Sequence, residues 1–101
     1  MKKCNEGTKI IIKDLLLLKD KVIMCGMPDY KYILMGIDIV EKFVLENNPS
    51  NIDNETIDNI LFEIKKNIEN NSLGYINYGI FTGIKMGYNN IEKKKTKELK
   101  K

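Results

Sequence analysis

The sequence predicts an all-α protein, a compact up-and-down four-helix bundle that could pair as a dimer. Three observations predict it. Apolar residues recur at spacings of three and four in four separate stretches, the period of a helix with one buried face. The breaks between them fall at Gly26-Met27-Pro28, Asn48-Pro49-Ser50 and Asn70-Asn71-Ser72, all rich in residues that end helices or turn the chain. At 101 residues, with 43% hydrophobic and 31% charged residues, the composition is that of a single globular domain with a core.

The first helix is predicted over 8–25. Ile11, Leu15, Leu18, Val22 and Cys25 form its stripe, with Lys9, Lys13, Asp20 and Lys21 largely away from it, and Gly26 supplies the stop. The β-branched run Ile10-Ile11-Ile12 leaves a short strand over 8–12 as an alternative. Residues 1–7 read as a polar leader. The second helix is predicted over 28–47, with Pro28 in its first turn, Asp29 near its positive end, and a stripe of Tyr30, Ile33, Ile37, Val40 and Val44. Its outer side carries Asp38, Glu41, Lys42 and Glu46. Asn48-Pro49 ends it, because proline disfavours a helical residue before it.

The third helix, over 53–69, has the cleanest pattern, with Ile57, Ile60, Leu61, Ile64 and Ile68 on one face. Two N-terminal solutions stay open: a capping box of Ser50 with Asp53, or Asp53 itself as the N-cap. The fourth helix, over 72–92 with Ser72 as its cap, places Leu73, Ile76, Ile80 and Ile84 on one face with Gly79, Gly83 and Gly87 beside them. An interior glycine costs about 1 kcal/mol against alanine. Keeping three at strict spacing implies that another backbone comes close. That neighbour is either the second helix, with its Gly36, or the same helix of a second copy; a glycine-rich loop or strand is the competing reading of this stretch.

Charge divides the chain. Between Asp14 and Glu92 seven lysines face twelve acids, a balance of −5, while the two ends together carry +8. Residues 8–92 therefore read as an acidic helical domain followed by a lysine-rich tail at 93–101. All 17 basic residues are lysine, and the richness in Asn, Ile and Lys points to an AT-rich genome; absence of the bidentate arginine fork weighs against a sequence-reading nucleic-acid binder. No apolar run approaches the roughly 20 residues of a membrane span, and the N-terminus does not continue into a signal-like apolar segment, so a cytoplasmic location is expected. Cys4 and Cys25 read as a surface thiol and a small buried hydrophobe.

Little in the sequence points to chemistry. There is no histidine, so neither a Ser-His-Asp nor a Cys-His site can be built, and both common glycine-rich phosphate cradles are missing. Asp53-Asn54-Glu55-Thr56-Ile57-Asp58 clusters acids but lacks the glycine of a calcium loop, and helix capping accounts for it better. No metal, cofactor or enzymatic activity is expected. Tyr30, Tyr32, Tyr75, Tyr78 and Tyr88 are expected at the core edge with their hydroxyls wet.

In Tyr78-Gly79-Ile80-Phe81-Thr82-Gly83-Ile84-Lys85-Met86 an aromatic residue and a glycine precede a second glycine and a mixture of apolar and basic residues. The segment resembles the C-terminal helix of short, all-helical, uncharacterised proteins of Firmicutes and their prophages. That resemblance covers about ten of the 101 residues and implies no activity; Gly87 and the lysine tail depart from it.

The expected function is that of a non-enzymatic protein-binding module. It would be a phage or mobile-element inhibitor of a host defence system, in the manner of anti-CRISPR proteins. Its acidic face, Asp38, Glu41, Glu46, Glu55, Asp58 and Glu63, would meet a partner with a basic surface. One alternative is a bacteriocin immunity protein working at the membrane face through the lysine tail. Another is a small DNA-binding regulator, disfavoured because the third helix offers only Lys65 and Lys66 as cations.

Overall fold

A computed structural model describes residues 4–70 and 77–95. Helix α1 runs from Glu6 to Cys25, starting inside the segment read as a leader. The N–H groups of Gly7 and Thr8 donate to the carbonyls of Ser50 and Pro49 at 3.2 and 3.1 Å. Donors that a helix N-terminus leaves without intrahelical partners are thus satisfied, which extends the helix past Thr8. Ile10, Ile11 and Ile12 are helical, so the strand alternative is excluded. Gly26 ends α1 in the left-handed conformation, φ 66°.

Helix α2 spans Tyr30–Asn47 and so begins two residues later than predicted. Pro28 and Asp29 form the preceding turn, in which the Tyr30 N–H donates to the Met27 carbonyl at 3.1 Å. Asn48 closes α2 at φ 46°. Helix α3 spans Asn54–Asn70, and Asp53 caps it by accepting from the Thr56 N–H at 2.9 Å. The Ser50–Asp53 box does not form: the Asp53 N–H donates instead to the Asn51 side-chain carbonyl at 3.1 Å. Helix α4 spans Tyr78–Glu92 and is capped by Asn77, whose side-chain oxygen accepts from Gly79 at 2.7 Å and Ile80 at 3.4 Å. Ser72, Leu73, Tyr75 and Ile76, expected in this helix, lie outside the described residues.

The helices pack as an all-α four-helix bundle around Ile11, Leu15, Val22, Ile33, Ile37, Val40, Val44, Ile57, Ile60, Leu61, Ile64, Ile84 and Ile91. The most extensive pair is α2 with α4. Here the glycine stripe finds its neighbour. A Cβ on Gly83 would collide with the Ile33 carbonyl and come within 2.9 Å of the Gly36 Cα, and one on Gly36 would collide with the Ile80 carbonyl. At Gly79 and Gly87 the crowding comes from Tyr32 and Val40 side chains. The three glycines are buried within the chain against α2, so they are helix-packing residues and offer no dimer surface.

Candidate protein-docking surface

Of the six acids expected to form one partner-binding face, three are engaged in ion pairs within the chain. Lys19 of α1 bridges Asp38 and Glu41 of α2, and Lys95, just beyond α4, pairs with Asp58 of α3 at 2.7 Å. Burial disfavours the Lys19 ammonium, but hydrogen bonds to Asp38 and Glu41 and their charges outweigh it and hold its pKa above the ordinary lysine value. Glu41 is only 16% exposed in its side chain, which makes it part of the helix interface. Glu46, Glu55 and Glu63 are exposed and enter no ion pair among the described residues.

Two of those three acids border a different feature. Along the seam between α2 and α3 lie two adjoining depressions of about 310 and 220 Å³, which share Phe43, Lys42's neighbour on α2, and Asn67 on α3. Ile39, Lys42 and Glu46 complete the first; Phe62, Glu63 and Lys66 complete the second. Phe43 is half-buried against the core, whereas Phe62 is 65% exposed. The lining is therefore mixed: Ile39, Phe43 and Phe62 supply its apolar part, and Lys42, Glu46, Glu63 and Lys66 supply charges of both signs. Lys66 lies 6.0 Å from the centre of the Phe62 ring, close enough for cation–π attraction.

The sequence carries a signal for this surface, and it lies off the core stripes. Ile39 and Phe43 fall out of phase with Ile33, Ile37, Val40 and Val44, and Phe62 falls out of phase with Ile57, Ile60, Leu61 and Ile64. Large apolar residues off the core stripe of two successive helices meet where those helices pack side by side. Comparisons with protein-family models, with curated proteins and with solved structures return no match to this chain.

Elsewhere the surface offers less. Among the described residues no group of three or more His, Cys, Asp or Glu side chains could hold a metal ion, and no helix is long and apolar enough to cross a membrane. Cys25, read as buried, is exposed: Val22 is the last buried residue of α1, and Ile23, Met24 and Cys25 project beyond the core. Tyr30 and Tyr88 are half-buried as expected, but Tyr32 and Tyr78 are exposed, Tyr78 by 80%. Lys94 pairs with Asp14, so the start of the lysine-rich tail lies against the body of the protein, and residues 96–101 lie outside those described.

Proposed function

We propose that the protein is a non-enzymatic binding module that takes a protein segment into the α2–α3 groove. The segment would supply an apolar side chain to Phe43 and Phe62 and a basic side chain to the free carboxylates of Glu46 and Glu63. The observation that carries this reading is the exposed Phe62 on a shallow depression that it lines together with Phe43, since large exposed aromatic side chains are common anchors of protein contacts. The negative balance of the body favours a partner with a basic contact surface. A small module of this kind suits a phage or mobile-element inhibitor that acts by covering a site on a host defence protein.

The test uses tagged protein and lysate of a low-GC bacterial host, with Phe62→Ala, Glu63→Lys and a form truncated after Lys95 as comparisons. The expected result is one stoichiometric protein retained by the wild type and by the truncated form, and lost from Phe62→Ala and Glu63→Lys. Recovery of nucleic acid or membrane lipid alone, dependent on the tail, would overturn the reading in favour of a tail-driven surface binder.

A further inference from the structure

A second surface stands apart from the groove. Opposite the buried stripe of α1, residues Ile10, Lys13, Leu17, Asp20 and Met24 follow one another at spacings of three and four, forming a second stripe on the outer face. Leu17 is 54% exposed and Met24 84% exposed, and Ile10 is partly exposed. Nothing in the bundle explains an apolar residue at every seventh position on its outside. The two charged residues between them, Lys13 and Asp20, form no ion pair among the described residues, although Lys19 and Asp14 nearby both do.

This stripe is self-complementary. We propose that a second copy of the chain docks here, its α1 antiparallel to the first, about a twofold axis at Leu17. Helical rise is about 1.5 Å per residue, so Lys13 lies about 6 Å to one side of that axis and the partner's Asp20 about 4.5 Å to the same side. A twofold perpendicular to both helices keeps each residue on its own flank of the seam. Lys13 and Asp20 share a flank, so each lysine meets an acid and the pair forms twice, while Lys21 lies on the other flank. Leu17 packs on its symmetry mate, and Ile10 stands level with the partner's Met24 at both ends. A parallel pairing would instead put Lys13 beside Lys13 and Asp20 beside Asp20, which like-charge repulsion disfavours. One helix per subunit gives an interface at the small end of the specific range, roughly 1,200 Å² in total or less, so the dimer is expected to be reversible and concentration-dependent.

The proposal does not depend on the α2–α3 groove, and its test reads oligomeric state alone. Sedimentation equilibrium of the full chain at rising concentration is expected to move from the 11.7 kDa monomer towards twice that mass. Lys13→Asp and Asp20→Lys alone are each expected to weaken association at least tenfold, and the double variant to restore it, because the reversed charges again meet opposites. In a Cys4→Ser/Cys25→Ser background, Leu17→Cys is expected to form a covalent dimer on mild oxidation and Met24→Cys to form none, since the two copies of residue 24 would stand about 20 Å apart. Circular dichroism of each variant checks that the helices persist. A monomer at every concentration, a double variant that fails to recover, or cross-linking through residue 24 in preference to residue 17 would overturn the proposal.

Discussion

At Gly83 a Cβ would stand inside the Ile33 carbonyl of α2, whereas at Gly26 it would meet nothing within 4 Å. The two glycines are needed for different reasons, and alanine should separate them. Gly83→Ala forces two backbones apart and is expected to cost about 3 kcal/mol, a loss of more than 10 °C in melting temperature for a domain of this size. Gly26→Ala strains only a left-handed residue and should cost about 1–2 kcal/mol, with Gly26→Asn costing less. Gly87→Ala should fall below Gly83→Ala, because its obstacle is the Val40 side chain and not a carbonyl. Thermal unfolding of the four variants gives the order; Gly83→Ala with the native melting temperature would refute the close-approach account. The spacing of Gly79, Gly83 and Gly87 made a close backbone approach legible in the sequence, but left α2 and a second copy both open as the neighbour. The role of Glu41 was not legible, because its partner Lys19 is 22 positions away and only the α1–α2 packing joins them. Its reversal to lysine would therefore break a helix interface, and Glu63→Lys is the cleaner probe of partner binding.

At the scale of elements, the stripes of α1 to α3 were readable, Cys25 apart, because a 3.6-residue period records which side of a helix is buried; of the α4 stripe Ile80 and Ile84 face the core as read, and the fully buried Ile91 was missed. The helix ends were harder, since the groups that satisfy them come from elsewhere in the chain. The α1 N-terminus is the clearest case. Asn48 holds a left-handed conformation, its side-chain oxygen accepts from the Asn5 N–H at 2.9 Å and the Thr8 hydroxyl at 2.7 Å, and its carbonyl accepts from the Asn5 side chain at 2.8 Å. No local pattern shows that residues 5–8 end on residues 48–51. Asn48→Gly keeps the backbone conformation and removes the side-chain bonds, so it is expected to cost about 1–2 kcal/mol; Asn48→Ala adds the left-handed strain and should cost about 1 kcal/mol more. Hydrogen exchange at the Gly7 and Thr8 amides, with urea unfolding, checks both. Unchanged protection in Asn48→Ala would mean that the Pro49 and Ser50 carbonyls alone hold the helix start.

For the molecule as a whole, the charge split read along the chain turns out to be partly compensated in space, because Lys94 pairs with Asp14 and Lys95 with Asp58; within the acidic body, Lys19 pairs with Asp38 and Glu41. This arrangement sets how stability responds to pH. The hydrogen bond to Asp58 raises the Lys95 pKa, but Asp58 is exposed and Lys95 only half-buried, so water screens the pair and it contributes little. Lys19 is the informative group, because its folded pKa lies above the ordinary value of 10.5 that it would have in the unfolded chain. Its stabilisation is complete below that value and disappears as pH rises through the folded pKa. Asp53 behaves in the opposite sense: hydrogen bonding from the Thr56 hydroxyl and then its N–H lowers its pKa, so its cap is fully formed above the ordinary carboxylate range and lost as pH falls through the folded value. Lys19→Met is accordingly expected to be less stable than the wild type at pH 7, by about 1–3 kcal/mol, because it leaves the half-buried Glu41 carboxylate without its cation. That gap should narrow above pH 10.5, where the wild type loses the same charge. Urea unfolding of both proteins from pH 7 to 11.5 measures it. A gap that stays constant across the range would mean that the Lys19 stem packs the α1–α2 interface and its charge does not.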